Sequence, residues 1–316
     1  MHDTDAHTRE GFHQTAGGDV RDPWTPLAEL RRTVGVLTGD VMPSTGDRPF
    51  GARENFAVLR YDDCARVLRD DVTFSSRVYE DVMGPVMGRT ILQMEEPEHR
   101  RTRNLAGNAF RQKALQHWED ELVRPLAHEM IDGFAPRGHA ELAEELTYPF
   151  PVQVIARILD LPRADVPYFQ TLAFRITSVG AGYDDGKKAS AEMAEYLLPF
   201  IPRLVMSDVE IAGVTIPAGS TVTVCLGSAN RDETRFADPD RFDIHRPEGQ
   251  HLAFSSGPHM CLGMHLARME MRVVLNALLD RLADLELDPG DRDPHMHGIG
   301  FRSPTCLPVR FTPVAA

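Results

Sequence analysis

Phe254-Ser-Ser-Gly257-Pro-His259-Met-Cys261-Leu-Gly263 is the stretch on which the reading of this chain turns. A loop with two glycines delivers a lone cysteine to a segment where Leu262, Leu266, Met269, Val273, Ala277 and Leu278 recur at helical spacing. A cysteine placed there faces unpaired backbone N–H groups and the positive end of a helix dipole. Both favour the thiolate over the thiol. Gly257 and Gly263 carry no side chains, so a large flat group can lie against this backbone. A thiolate held in this way suits an axial metal ligand. The plain alternative is that Cys261 is a small buried hydrophobe, the common use of a lone cysteine.

The run fits the pattern Phe-x-x-Gly-x-His-x-Cys-x-Gly and resembles the haem-ligand loop of the cytochrome P450 family. The resemblance implies haem b (iron protoporphyrin IX) bound through Cys261 as axial iron ligand, with Phe254, Gly257, His259 and Gly263 forming the cofactor loop. A haem carries two propionates, so its burial needs cations and hydrogen-bond donors. His99 and Arg103 stand four apart on what reads as one helix face and match the family's His-x-x-x-Arg grip on a propionate. Arg203, ahead of a strand-rich segment, matches a second propionate ligand, and His259 a third. Taken alone, His99 and Arg103 read equally as a solvated helix face. No catalytic residue beyond the haem ligand is identified.

Composition bounds the rest. The chain has 316 residues and is 42% apolar, enough for a large core and against wholesale disorder. A net charge of −13 argues against nucleic acid as a partner. Cys64, Cys225, Cys261 and Cys306 are scattered without a CxxC pair, which suggests neither a disulfide framework nor a structural zinc site. Residues 1–22 are polar and read as a flexible tail, with 23–316 as a single domain. No apolar segment suits a signal peptide or membrane anchor, so the expected location is the cytoplasm.

Along the chain, Phe56 to Tyr61 reads as a strand, and Asp62 to Asp70 as a short helix with an Asp cap. Ser75 to Met94 reads as a long loop. Helices are expected over Lys113 to Phe134, Phe150 to Leu159, Arg163 to Val179 and Asp185 to Leu198. Short strands follow at Asp208 to Ile211, Val214 to Ile216 and Thr221 to Cys225, with turns at Ala212-Gly213 and Pro217-Ala-Gly219. Arg235 to Pro247 reads as ordered coil, and Pro304 to Phe311 as strand. The fold class is α+β: a mainly helical, P450-like fold with small antiparallel sheets, internally truncated.

The truncation follows from what the resemblance lacks. The family's central helix carries an acid-alcohol pair that serves oxygen activation, and no such segment is found. Gly180-Ala-Gly182-Tyr-Asp184-Asp-Gly186 has related composition but no Thr. Arg246 fits the family's coil arginine, yet no suitably placed Glu-x-x-Arg precedes it. The two halves meet abruptly at Pro199 to Arg203, which reads as an internal deletion near 199–203 of roughly 90 residues.

The resemblance implies a haem-thiolate monooxygenase that inserts one oxygen atom from O2 into an apolar small molecule. The pocket is expected under the Ser75 to Met94 loop and the Arg163 to Val179 helix, with Leu204 and Phe301. Electrons would come from a ferredoxin or flavin-type reductase docked on a basic proximal face. Between His99 and Lys113 there are five Lys or Arg and no acid, with Arg268 and Arg272 beyond Cys261. The alternatives are a haem-binding remnant without turnover, and a structural protein in which Cys261 is simply buried.

Overall fold

The structure is a computed structural model that describes residues 20–39, 53–82, 84, 88–169, 200–247, 249–297 and 302–314. Most of the expected tail, the helix over Asp185 to Leu198, the Gly180 to Gly186 loop, Met83, Val86, Met87 and Phe301 lie outside these residues. So does most of the helix expected over Arg163 to Val179.

Helix α1 (Trp24–Thr33) begins where Asp22 Oδ1 accepts the N–H groups of Trp24, at 2.9 Å, and Thr25, at 3.2 Å. Strands β1 (Val36–Thr38) and β2 (Asn55–Val58) form an antiparallel pair. Helix α2 (Tyr61–Arg69) follows at once. Its expected Asp cap is a correction. Asp62 and Asp63 sit inside the first turn, and the Tyr61 N–H instead donates to Asp232 Oδ2 at 2.8 Å, from a distant part of the chain. A cap supplied by tertiary structure leaves no local trace in the sequence.

Strand β3 (Phe74–Ser75) and the short α3 (Val78–Val82) place structure inside the segment expected to be loop. Helix α4 (Glu98–Gly107) carries His99 and Arg103. The run expected as one helix from Lys113 to Phe134 is helical throughout but is α5 (Gln112–Trp118), a π-helical turn over Glu119–Val123, and α6 (Arg124–Phe134). Pro125 has no N–H to give Glu121, so the ladder widens there rather than breaking. Strand β4 (His139–Glu141) and α7 (Pro149–Ile158) complete the first half.

The second half opens with β5 (Phe200–Val205), β6 (Val209–Ile211), β7 (Val214–Ile216) and β8 (Thr221–Cys225). Ala212 and Gly213 both take positive φ, +50° and +80°, the geometry of a tight two-residue hairpin between β6 and β7. The short α8 (Leu226–Ala229) leads to the coil and the cysteine loop. Helix α9 (Met264–Arg281) follows the loop. The chain then runs through β9 (Leu282–Leu287), β10 (Met296–His297), β11 (Ser303–Pro304) and β12 (Pro308–Pro313).

The fold is α+β. Among the described residues the largest sheet has the order β1-β2-β8-β5-β3, and the smaller sheets are antiparallel as expected. The large sheet is mixed, because β2 and β8 pair in parallel. Strands so far apart in sequence are joined by intervening helices, which permits a parallel pair that no hairpin allows. All five β8 residues are buried, as befits a central strand covered on both faces.

The two largest apolar cores among the described residues carry most of the packing. One packs α6, α7 and α9 with β12 around Leu126, Ile131, Phe134, Phe150, Val273 and Leu278. The other packs α2 on the large sheet through Cys64, Val67, Leu68, Val222 and Val224. The cysteine loop lies between the end of α2 and the start of α9.

Candidate functional site

The loop is closed by its own backbone. The Cys261 N–H donates to the Phe254 carbonyl at 2.9 Å, Met260 N–H to Gly257 O at 3.1 Å, and Ser255 N–H to Leu252 O at 2.8 Å. Cys261 is half-buried two residues ahead of the Gly263 that caps α9. Its sulfur accepts the N–H groups of Gly263 and Met264 and faces the Arg103 guanidinium. Each of these draws the thiol pKa down, as expected from the sequence. Burial is the larger effect, however, and the thiol stands above its ordinary value. The helix terminus alone therefore does not ionise Cys261; a cation at the sulfur would.

The two glycines do different things. Gly257 has a φ of +74°, and a Cβ there would lie 2.3 Å from the Leu68 carbonyl oxygen. Its missing side chain makes room for the end of α2. Beside Gly263 nothing lies within 4 Å of a Cβ, so this is the glycine with open space against it. Phe254 is half-buried, with the Arg268 guanidinium 5.4 Å from its ring centroid and the His251 ring at 6.1 Å.

Four polar groups converge beside the cysteine. His99 is 2% exposed, and its ring lies 4.0 Å from that of His259. Its Nδ1 is 3.4 Å from Glu96 Oε1. Arg103 donates through Nη2 to the Met260 carbonyl at 2.5 Å, tying α4 to the loop. Arg203 is 3% exposed within β5, rather than ahead of the strands, and donates to the Pro202 carbonyl at 2.8 Å. The Tyr79 hydroxyl lies within hydrogen-bonding reach of the same guanidinium. The His259 pKa falls to about 3, first through burial and then through Arg203, His99 and Arg103. Burial likewise pushes the Arg103 and Arg203 guanidinium pKa values down.

Among the described residues neither Arg103 nor Arg203 forms an ion pair with a carboxylate. Two buried or half-buried guanidiniums stand here beside two imidazoles, both disfavouring charge on His259, and neither guanidinium is paired with a carboxylate among the described residues. A dianionic group bearing carboxylates on one edge and a metal over the sulfur supplies what these residues lack. The chain's residues thus fit a haem. His99, Arg103, Arg203, His259 and Cys261, read separately from the sequence, are brought together. Tyr79 and the Met260 carbonyl were not foreseen, since neither belongs to a motif.

Arg101, Arg111, Lys113 and Arg268 are exposed and make no ion pair among the described residues, with exposed Leu105 beside Arg101 and Arg103 on α4. Arg272 is instead held by the buried Glu119, and Arg100 by Glu96. Arg246 has found a different role from the expected one. It donates to the backbone carbonyls of Ala237, Asp238 and Arg241. On this coil Phe242 and Ile244 stand exposed, and on the outer face of α9 so do Met271, Leu275 and Leu279.

Comparison with known proteins bears on the same residues. The sequence model of the family described as Cytochrome P450 matches residues 195–305, which include Arg203 and the whole cysteine loop. Nocardicin C N-oxygenase of Nocardia uniformis subsp. tsuyamanensis is 27% identical over 83% of this chain and 90% of its own length. Cytochrome P450 monooxygenase PikC of Streptomyces venezuelae is 27% identical over 82% of this chain and 85% of its own. The solved structure of cytochrome P450 CYP109Q5 from Chondromyces apiculatus superposes with a TM-score of 0.74 at 29% identity, covering 94% of this chain and 97% of that one. The match to the Nocardia protein runs over 365 residues yet uses 83% of a 316-residue chain. On the order of 100 positions of the match therefore have no counterpart here.

Proposed function

Because this chain belongs to the cytochrome P450 family, we propose that it is a haem-thiolate monooxygenase whose haem b is held by Cys261, His99, Arg103, Arg203 and His259. The observation that carries this is the convergence of those five side chains on one corner, where neither guanidinium has a carboxylate ion-pair partner among the described residues. When bound, the haem supplies the activation of O2 and the transfer of one oxygen atom to an apolar small molecule, with electrons from a protein partner.

The chain's own residues hold and tune that group. Cys261 ligates the iron, and the Gly263 and Met264 N–H groups take up part of the thiolate charge. Arg203, fixed in β5 and by Tyr79, would hold one propionate, and Arg103, His99 and His259 would hold the other. Burial and the neighbouring Arg203, His99 and Arg103 disfavour the charged form of His259, whose ring would still offer a hydrogen bond to a propionate. Arg101, Arg111, Lys113 and Arg268 around Leu105 suit an acidic ferredoxin or flavin-type reductase. Leu204, half-buried against Val78 and Tyr79, lies on the substrate side in this reading. Among the described residues no helix is long and apolar enough to cross a membrane, in keeping with action in the cytoplasm.

A second reading has its own support: a haem-binding protein with impaired turnover. The unmatched positions, the absent acid-alcohol pair and the bare apolar stripe on α9 favour it. In this reading the chain from 23 to 316 is one domain with an internal deletion near 199–203.

The test is the reduced, carbon monoxide-bound spectrum of protein expressed with haem supply. A strongly red-shifted thiolate-type Soret band is expected, and an imidazole-type or colourless protein overturns the assignment. NAD(P)H consumption with product formation, given a surrogate reductase, then separates the two readings.

A further inference from the structure

One side chain of the cysteine loop is unexplained by the loop's own bonding. Ser255 holds a φ of +64°, the left-handed region that a residue with a Cβ reaches only at a cost. Its Oγ is buried and has no hydrogen-bond partner among the described residues. The residues on either side are accounted for. The Phe254 carbonyl takes the Cys261 N–H, Ser256 Oγ accepts Arg69 Nε at 3.2 Å, and Gly257 packs on Leu68. Glycine at 255 would take the same backbone without strain and leave no hydroxyl unpaired. The other non-glycine residues with positive φ are Asp160 and Asp238 at turns or bends, Asp284 at the irregular pairing of β9 with β12, and the Ala212 of a tight hairpin. At Ser255 strain and an unsatisfied donor fall on one side chain, and such a combination persists where a partner from outside the chain offsets it.

We infer that Ser255 is a cofactor-contacting residue whose O–H donates to an anionic acceptor that arrives with the haem. The inference rests on the haem-thiolate reading above. Two acceptors on the bound unit share the required chemistry: a propionate oxygen and the iron-bound Cys261 sulfur. The geometry that points here is the position of Ser255, next to the residue whose carbonyl holds Cys261.

The experiment compares wild type with Ser255→Gly and Ser255→Ala. Three quantities are read: melting of the haem-free and haem-loaded proteins, the rate of haem transfer to excess apomyoglobin, and the reduction potential. Ser255→Gly is expected to raise the melting temperature of the haem-free protein, since it relieves the strain, so folding does not confound the result. Both variants are expected to narrow the gap between haem-loaded and haem-free melting temperatures. If a propionate is the acceptor, haem transfer quickens by roughly tenfold at unchanged potential. If the sulfur is the acceptor, the potential falls and the Soret band shifts, because a hydrogen bond to the thiolate is lost. Transfer rate and potential both equal to wild type in both variants would overturn the inference and leave the hydroxyl to a buried water. A wild-type protein without a thiolate-type spectrum instead removes the underlying reading, before any variant is compared.

Discussion

The cysteine loop and α9 meet at Gly263, and the loop and the helix's outer face differ in how fully the chain completes them. In the loop nearly every polar group has a partner: Cys261 N–H on Phe254, Arg103 on Met260, Arg69 on Ser256, His99 against His259. On the helix that follows, Leu266, Met269, Val273, Ala277 and Leu278 are buried, while Met271, Leu275 and Leu279 line the opposite side in water. Single exposed apolar residues are ordinary, but three at four-residue spacing form a stripe that soluble chains normally cover. The difference is one of completeness: α2 and α4, distant in sequence, close the cysteine loop, while no described segment covers the outer face of α9.

The sharpest way to break this comparison is to remove the ligand. Cys261→Ser is expected to abolish the thiolate-type Soret band completely while leaving α9 and its stripe as they are. If the band persists, the loop is not the cofactor corner at all. Gly257→Ala comes next. Its Cβ would meet the Leu68 carbonyl at 2.3 Å in a backbone of φ +74°. A loss of about 3 kcal/mol or more is expected from overpacking and strain together, read by chemical denaturation. A near-neutral result would mean that the loop and α2 are less tightly joined than the structure shows.

Glu270 tests the buried side of α9. Burial alone raises its carboxyl from 4.5 to about 7. The folded state thus binds a proton that the unfolded state has already released between these values. Stability is full below pH 4.5 and falls as pH rises toward 7. The drop amounts to about 3 kcal/mol, at roughly 1.4 kcal/mol for each unit. Glu270→Gln is expected to flatten that part of the pH profile. An unchanged profile would show that water or a partner reaches the carboxylate.

The same contrast explains what was legible in the sequence. His99, Arg103, His259 and Cys261 announce themselves because their spacings are fixed by one helix and one loop. Arg203 was legible only through resemblance, and its placement inside β5 was not. Gly257 was visible as a glycine, but its reason, the Leu68 carbonyl, belongs to a helix almost two hundred residues earlier. Tyr79, the Asp232 cap on α2 and the parallel pairing of β2 with β8 are likewise contacts between distant segments. The π-helical turn at Glu119 was hidden because its cause, Pro125, is also compatible with the first turn of an ordinary helix. Arg246 shows the reverse case: the residue was recognised, and its partners turned out to be three nearby carbonyls.

The smallest expected effect bears most directly on the uncovered face. Leu275→Gln with Leu279→Gln exchanges two water-facing apolar side chains for polar ones of similar size. With both residues more than half exposed, at 59% and 69%, the substitutions remove little packing, and stability is expected to change by less than about 0.5 kcal/mol. Aggregation on heating should fall, since the stripe is what neighbouring molecules would share. Static light scattering through a thermal ramp reads the second quantity and a urea titration the first. A destabilisation of about 1.5 kcal/mol or more would mean that the stripe is buried in solution, because only covered leucines carry that much apolar transfer energy. In that case the face of α9 is as complete as the cysteine loop, and the contrast between the two regions disappears.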